Sequence, residues 1–357
     1  MMMRQRASRL VSNDTPGHPA AGILVGTLLL ALAVAPFAFP GTHALAVAAR
    51  ICIFILLAAS YDLLLGYTGI VSFAHTVFFA AGAYAVAIPL AAGWVGWGAV
   101  LAGTAAGIAV SATLAAGLAL LSLRVQRIFF SMITLAVASF AQILATELGS
   151  LTGGEDGLSF SVPTILGPAF RLFAHPVLGL RIDGRVITYY LIFLVVLGLF
   201  LLLLRLVNTR FGRVLQAIRE NEFRAEALGI QSILYRTAAS ATAASLAAVA
   251  GTLMALLLHY TGPDTTLPFS VMVDILLMVV IGGMGTLYGA ALGAAIIVLA
   301  EYDLQPLLQH AANATAGLPL LPALLQPDRW LLWLGTLFVA IVYFFPAGIL
   351  GTLRGRR

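Results

Sequence analysis

Residues 208–236 read NTRFGRVLQAIRENEFRAEALGIQSILYR and form a polar island in a chain of 357 residues that is otherwise mostly apolar. The island mixes both signs of charge, at Arg210, Arg213, Arg219, Glu220, Glu222, Arg224, Glu226 and Arg236. Apolar residues recur between them at three- and four-residue steps, at Val214, Leu215, Ile218, Ala225 and Leu228. This spacing predicts a short amphipathic helix, which the apolar sequence on either side places outside the bilayer between two membrane spans.

Local signals support this helix but leave its role open. Glu220 lies four residues before Arg224, which is the order that favours a helical ion pair. Gly229 follows the last periodic residue, where a helix is expected to end. A solvated connecting loop would carry the same charges, and so would a docking helix that transmits force from a soluble motor protein.

The composition indicates a polytopic membrane protein. Hydrophobic residues make up 61% of the chain and charged residues only 9%, whereas a soluble domain carries about 25% charged residues. The single cysteine, Cys52, excludes a disulfide framework and a cysteine metal cluster. The sequence has no HExxH motif, nucleophile elbow or Walker A loop. We therefore predict no catalytic residues, no metal site and no bound cofactor in this chain.

Apolar runs of about 20 residues, the length that crosses a bilayer, follow one another along the sequence. They predict an all-α transmembrane bundle of about ten spans in a membrane domain at 21–350, with a disordered cytoplasmic leader at 1–20 and a basic tail at 351–357. The stretch 271–300 exceeds one comfortable span and carries a glycine-rich break, so we interpret it as two spans, although its first half could be re-entrant. The predicted spans are 22–39, 44–65, two within 63–123, 128–146, 186–204, 237–260, two within 271–300, and 329–345.

The arginines predict the orientation, because cytoplasmic loops of membrane proteins are enriched in basic residues. With the amino terminus inside, four spans return the chain to the cytoplasm at Arg124 and Arg127. The mixed-charge loop 149–185 then lies in the periplasm, and the sixth span places the island 208–236 in the cytoplasm. Counting 271–300 as two crossings also keeps the basic tail inside. The rule therefore favours ten spans with both termini cytoplasmic.

Polar residues within the predicted spans are candidates for a path through the bundle, since charge at bilayer depth is costly and often functional. Asp62 lies at the end of a predicted span, where a headgroup-level position explains it better than a path does. Asp274 lies near the start of its span and could equally be a cap on the periplasmic side. His75 could contact a ligand or be a hydrogen-bonded structural residue, and the small residues around it favour close helix packing. Ser131 and Thr134 could line a path or bond back to their own helix. The path candidates are Ser72, His75, Ser131 and Thr134.

Five segments form a recognisable set: GYTGIVSFAHTVFFAAGAYA at 66–85, LRVQRIFFSMITLA at 123–136, LTGGEDGL at 151–158, FGRVLQAIRENEFRAEALGI at 211–230 and DILLMVVIGGMGTLYGAALGA at 274–294. Together they resemble the LivM-type permease subunits of bacterial branched-chain amino acid ABC importers, over about residues 45–350. The chain departs from the family's pattern at Gln126, Arg127, Phe129 and Asp274. The substrate stays open, because urea and short-chain amide importers use similar permeases.

The resemblance implies an inner-membrane permease that pairs with a second homologous permease, two cytoplasmic ATPases that bind the ATP, and a periplasmic solute-binding protein. The island would then be the loop that couples to the ATPase, through Arg213, Arg219, Glu220, Glu222, Arg224, Ala225, Glu226 and Gly229. A candidate docking surface for the binding protein is the turn of Gly153, Gly154, Glu155 and Asp156, which an ordinary polar loop would explain nearly as well.

Two other classes of protein fit the sequence less well. A secondary transporter would be expected to carry ionisable residues near mid-membrane and broken helices at matched positions in two repeats. The charged residues instead cluster at the predicted span ends, and no convincing internal repeat is found. An intramembrane enzyme would need a catalytic pair, which the spans do not offer.

Overall fold

A computed structural model describes residues 19–38, 41–121, 127–171, 183–314, 325–345 and 348–354. Over these residues the chain is a bundle of apolar helices with one pair of two-residue strands, which confirms the predicted all-α membrane fold. The predictions for residues 1–18, for Arg124 and for the last three residues fall outside the described part.

The helices are α1 (Pro19–Ala38), α2 (Thr42–Asp62), α3 (His75–Ala91), α4 (Trp97–Leu121), α5 (Arg127–Glu147), α6 (Gly184–Asn208), α7 (Arg210–Glu220), α8 (Glu222–Ala227), α9 (Ser232–Leu258), α10 (Phe269–Gly282), α11 (Leu287–Ala314), α12 (Trp330–Phe344) and α13 (Ile349–Arg354). A π-helical segment, Leu63–Thr68, continues α2. Short helical turns occur at Gly149–Thr152, Gly154–Asp156, Thr164–Leu166, Pro263–Thr266 and Pro327–Arg329. Strands β1 (Leu158–Ser159) and β2 (Tyr260–Thr261) pair antiparallel.

Eight helices in the described part are long and apolar enough to cross a membrane. Two shorter apolar helices, Ile23–Ala38 and His75–Ala91, lie where further spans are predicted. The predicted break in 271–300 separates α10 from α11, and Gly283 (φ 115°) and Gly285 (φ 83°) adopt backbone conformations there that glycine reaches without strain. The count of ten crossings and the sides on which the termini lie stay predictions.

Helix α2 is the centre of the bundle and packs against α6, α9, α10 and α11. In its most apolar window 78% of the residues are buried, against 22% for α4 and for α5. Ile53, Leu56 and Leu57 have no exposed surface. The peripheral helices instead turn large apolar side chains outward, as expected for a protein whose outer surface faces lipid or other membrane subunits.

Glycines let α3 and α9 pack with their backbones in contact. A Cβ atom added to Gly82 would overlap the backbone of Ala248, and one added to Gly251 would overlap the backbone of Phe79. The hydroxyl of Thr252 also donates to the carbonyl of Gly82 at 3.2 Å. Such small-residue contacts are the usual means of close helix association in membranes, so the close packing predicted for the small residues around His75 is confirmed at Gly82.

Replacing Gly82 by alanine is expected to destabilise the folded protein by about 1–3 kcal/mol, the usual cost of an extra carbon in a packed core. The matched control is Gly198→Ala in α6, where an added Cβ meets nothing within 4 Å. That control should be neutral or slightly stabilising, because alanine is the better helix former. Thermal unfolding of the purified protein in detergent measures both, and equal midpoints for the two variants would contradict the expectation.

Candidate functional site

The polar island forms two helices, α7 and α8, so the prediction of one helix is wrong. Asn221 separates them with an extended backbone (φ −158°, ψ 98°). Its side-chain oxygen accepts a hydrogen bond from the backbone N–H of Arg224 at 2.9 Å, which caps α8. Periodicity missed this break because an asparagine inside an apolar repeat can compete for backbone hydrogen bonds and start a new helix.

The same break makes the predicted helical pair of Glu220 and Arg224 wrong, because the two residues lie on different helices. The ion pair observed in the island joins Glu222 to Arg236, with oxygen–nitrogen distances of 2.7 and 2.8 Å. Two parallel contacts of this kind fix orientation as well as distance. Glu222 begins α8 and Arg236 lies in the first two turns of α9, so the pair ties α8 to a helix of the bundle.

Helix α8 ends as its glycine predicts. Gly229 has a left-handed backbone (φ 85°) two residues after the last residue of α8. Its N–H donates to the carbonyl of Glu226 at 2.9 Å, and the N–H of Ile230 donates to the carbonyl of Ala225 at 3.1 Å. These two bonds make a Schellman motif, which closes the helix and directs the chain towards α9.

The apolar residues of the island divide into a buried and an exposed group. Leu215 and Ile218 have no exposed surface, and Ala225 is 3% exposed. Phe223 and Leu228, by contrast, are 80% and 82% exposed. The assignment of Leu228 to the buried stripe is wrong, because Leu228 lies beyond the end of α8 and no longer follows the helical period.

Most charged members of the predicted coupling set also face outward. Glu222 is half-buried in its ion pair, and the exposed members of the set are Arg213, Arg219, Glu220, Arg224, Glu226 and Gly229. The island therefore presents two large apolar side chains framed by charges of both signs.

Arg219 connects α7 to the rest of the bundle. Its guanidinium donates to the carbonyl of Gly66 in the π-helical segment. Its aliphatic stem covers Gly69, where an added Cβ would lie 3.2 Å from the Cγ of Arg219. The guanidinium also lies beside Gly285 in the break between α10 and α11. This one side chain of α7 thus contacts two other segments that are far apart in sequence.

Asp62 joins the same two segments. It is fully buried at the end of α2, and its Oδ1 accepts the backbone N–H of Gly285 at 2.8 Å. The headgroup-level position expected for Asp62 stays a prediction. The bond holds the glycine break against the end of α2, next to the guanidinium of Arg219.

The predicted path residues lie in the packed interior. His75 has no exposed surface; its Nε2 lies 2.8 Å from the hydroxyl of Ser60, and its ring packs against Tyr61. The hydroxyl of Ser60 also lies 2.8 Å from the carbonyl of Leu57, to which it can donate. Ser72 is 5% exposed and accepts from the N–H of Ala74. These contacts give His75 and Ser72 structural partners, and a path at this position stays a prediction.

Ser131 and Thr134 fasten α5 to the non-helical stretch between the π-helical segment and α3. Ser131 donates to the carbonyl of Val71 at 2.9 Å, and Thr134 accepts the N–H of Phe73 at 3.0 Å. Thr134 also donates to the carbonyl of Ser131 in its own helix. Thr134 therefore bonds back to its own helix, one of the two roles considered, and a path lined by Ser131 and Thr134 stays a prediction.

The predicted docking turn lies at the opposite end of the bundle, beside β1 and β2. Gly153 and Gly154 have left-handed backbones, and Glu155 and Asp156 are exposed. The hydroxyl of Tyr260 donates to the carbonyl of Asp156 at 3.1 Å. The turn is therefore braced by the strand pair and displays two carboxylates; its docking role stays a prediction.

Ionisable residues are not confined to the ends of the spanning helices. Arg50 of α2 interacts electrostatically with Glu301 of α11, and Glu301 interacts with Asp274 of α10. The Arg50 guanidinium also lies 5.0 Å from the ring centre of Tyr302. The sequence analysis did not single out Arg50 and Glu301, although a charged residue inside an apolar run indicates a paired or functional position within the bundle.

The chain matches the family described as "Branched-chain amino acid transport system / permease component" over residues 43–342. It is 28% identical to the "High-affinity branched-chain amino acid transport system permease protein LivM" of Salmonella typhimurium, over 91% of this chain and 80% of that protein. It is 29% identical to the protein of the same description in Escherichia coli, over 85% and 73% of the two chains. A "Probable branched-chain amino acid transport permease protein LivM" of Methanocaldococcus jannaschii is 29% identical over 64% and 61%. No solved structure matches.

Proposed function

The chain belongs to the family of permease components of branched-chain amino acid transport systems, and we propose that it moves leucine, isoleucine and valine across the bacterial inner membrane. It is a multi-pass membrane subunit of an ABC transporter, and its relatives are transport permeases rather than enzymes. The ATP that drives transport would be bound by partner subunits, since the sequence lacks a Walker A loop.

The observation that carries this proposal is the family match over residues 43–342. The contact with the ATPase in this proposal rests on the exposed apolar side chains of Phe223 and Leu228 on the island. Large apolar side chains that project from a polar segment mark protein interaction sites, particularly when charged residues surround them. Arg224 and Glu226, which lie between Phe223 and Leu228 in the sequence, are also exposed. A soluble ATPase subunit is the partner that an ABC permease needs at its cytoplasmic surface.

Movement of the ATPase would reach the bundle by three connections. Thr209 joins α7 directly to α6, the Glu222–Arg236 pair joins α8 to α9, and Arg219 joins α7 to the end of α2 and to the α10–α11 break. A rigid displacement of α7 and α8 would therefore bias the packing of the core helices. This is a two-state element shifted by a ligand on another subunit.

The complete transporter in this proposal has a second homologous permease, two cytoplasmic ATPases and a periplasmic solute-binding protein. The binding protein would contact the turn at Gly153–Asp156, whose two exposed carboxylates suit a basic patch on a partner. The island and this turn lie at opposite ends of the bundle, as two partners on opposite sides of the membrane require.

The proposal is tested by measuring the uptake of labelled leucine and labelled urea in a strain that lacks the gene for this permease and in the same strain complemented with that gene. We expect deletion to abolish uptake of leucine, complementation to restore it, and urea uptake to be unaffected. Loss of urea uptake alone would keep the ABC permease but replace its substrate. Leucine uptake that persists in ATP-depleted cells would contradict the ATP-driven mechanism and favour a secondary transporter.

A further inference from the structure

A cavity of about 310 Å³ lies at the end of the bundle opposite the island. Helix α9 begins beside α8 and runs for 27 residues, about 40 Å at the rise of an α-helix, before it reaches the cavity at His259. The first turns of α2 and α6 complete the walls. The volume is at the lower end of the roughly 300–1,000 Å³ typical of small-molecule sites, so it suits a small ligand.

Most of the cavity wall is aliphatic, contributed by Leu45, Ala46, Ala49, Leu166 and Leu257. These residues come from α2, from the turn Thr164–Leu166 and from the end of α9. An aliphatic wall of this kind favours a ligand with a short apolar portion, because its burial removes apolar surface from water.

Two of the polar groups in the lining already have partners within the fold. The hydroxyl of Tyr189 donates to the carbonyl of Leu32, and that of Thr188 donates to the carbonyl of Gly184 at 2.9 Å. Arg185 is different: it is exposed in the first turn of α6 and makes no ion pair with any described residue. Its guanidinium can therefore offer hydrogen-bond donors to a ligand without giving up a salt bridge.

His259 supplies the second ligand-facing group of the lining. It is the one non-glycine residue of the described part with positive φ, at 54°. Its N–H donates to the carbonyl of Ala255 and its own carbonyl accepts from Phe160, so the backbone is held in this uncommon conformation from both sides. Burial, together with the nearby Arg185, lowers the pKa of His259 from its ordinary value of 6.5. This shift favours the neutral imidazole, which can donate one hydrogen bond.

We propose that this cavity is a substrate-binding site of the permease itself, which binds the carboxylate of an aliphatic amino acid at Arg185 and His259 and its side chain against the aliphatic wall. The inference rests on the proposed function and deepens it by giving this subunit its own recognition of the substrate. No carboxylate occurs among the described lining residues. The site therefore recognises the carboxylate and the branched side chain of the ligand, whereas the ammonium group stays towards solvent.

Equilibrium binding of labelled leucine to the complete permease–ATPase complex in lipid nanodiscs, without the solute-binding protein, tests this site. Two competitors separate the groups of the ligand: 4-methylpentanoate lacks the ammonium group, and leucinamide lacks the carboxylate. We expect 4-methylpentanoate to displace leucine and leucinamide to fail. Displacement by leucinamide at the same concentration as 4-methylpentanoate would overturn the recognition of the carboxylate.

Two variants locate the binding in the cavity. Arg185→Gln should weaken leucine binding by about tenfold or more, the effect of losing a charge-assisted hydrogen bond. Ala46→Trp should block binding by filling the cavity without changing any charge. The matched control is Arg171→Gln, which removes the same charge from an exposed position outside the lining and should bind leucine like the unchanged protein.

The outcomes separate this inference from the function on which it rests. Unchanged binding in both Arg185→Gln and Ala46→Trp would overturn the cavity as the site, as would an unchanged complex that binds no leucine. In either case leucine uptake that is lost on deletion and restored by complementation would still support the transport function. Failure of that uptake experiment would remove the function, and the proposed site with it.

Discussion

Leucine uptake is expected to fall at least about a hundredfold when Phe223 and Leu228 are both changed to serine. Buried aromatic and aliphatic anchors at protein interfaces commonly contribute about 2 kcal/mol or more each, and about 1.4 kcal/mol corresponds to a tenfold change in affinity. Both side chains are about four-fifths exposed in the isolated subunit, so their removal should cost the fold little. Co-purification of the ATPase with the tagged permease should fall together with uptake.

The control for this double variant is Trp94→Ser. Trp94 is 71% exposed, which is close to the exposure of the island residues, but it lies in the turn between α3 and α4. We expect this variant to retain uptake and the co-purified ATPase. Normal ATPase recovery with the double variant would contradict the assignment of the island as the ATPase contact.

Arg219→Gln is expected to reduce leucine uptake about tenfold while the ATPase stays bound and hydrolyses ATP. The guanidinium is the side-chain link from α7 to the carbonyl of Gly66 and to the glycine break, and a charged hydrogen bond of this type contributes about 1.5–3 kcal/mol. Without it, α7 can move while the ends of α2 and α10 stay in place. The measured quantity is leucine transported per ATP hydrolysed in proteoliposomes with the binding protein present.

Two further variants make this result specific. Arg210→Gln removes the same charge from the first turn of α7, outside the contacts described for Arg219, and should leave the transport ratio unchanged. Arg219→Lys keeps a donor and the aliphatic stem and should recover part of the ratio, since lysine can bond one acceptor as a point charge. A ratio that is normal in Arg219→Gln would contradict the role of Arg219 as a link, whereas a loss of ATPase binding would indicate a direct contact instead.

Local patterns were sufficient to predict several elements. The apolar runs predicted the spanning helices because a bilayer requires about 20 consecutive apolar residues to satisfy the backbone within one helix. Gly229 predicted the end of α8 because a left-handed residue closes a helix with little strain in glycine. Both signals act over a single turn or a single span, which is why the order of residues alone reveals them.

The same local reasoning failed where a competing local preference was overlooked. The apolar period ran across Asn221 without interruption, so one helix was predicted where two occur. The side chain of Asn221 replaces backbone bonds at that point and gives α8 its own direction. The loss of the predicted pair of Glu220 with Arg224 follows from this single residue, whereas Leu228 is exposed because it lies beyond the end of α8.

By itself the sequence determined the helical class, the placement of the polar island between two spans, and the resemblance to branched-chain amino acid permeases. Only the tertiary structure decided that Asp62 bonds Gly285 across 223 residues and that Arg219 bonds Gly66 across 153 residues. It also decided that Arg185 and His259 line one cavity. Such contacts depend on how helices cross and how far each is rotated, which a one-dimensional pattern of apolar and polar residues does not contain.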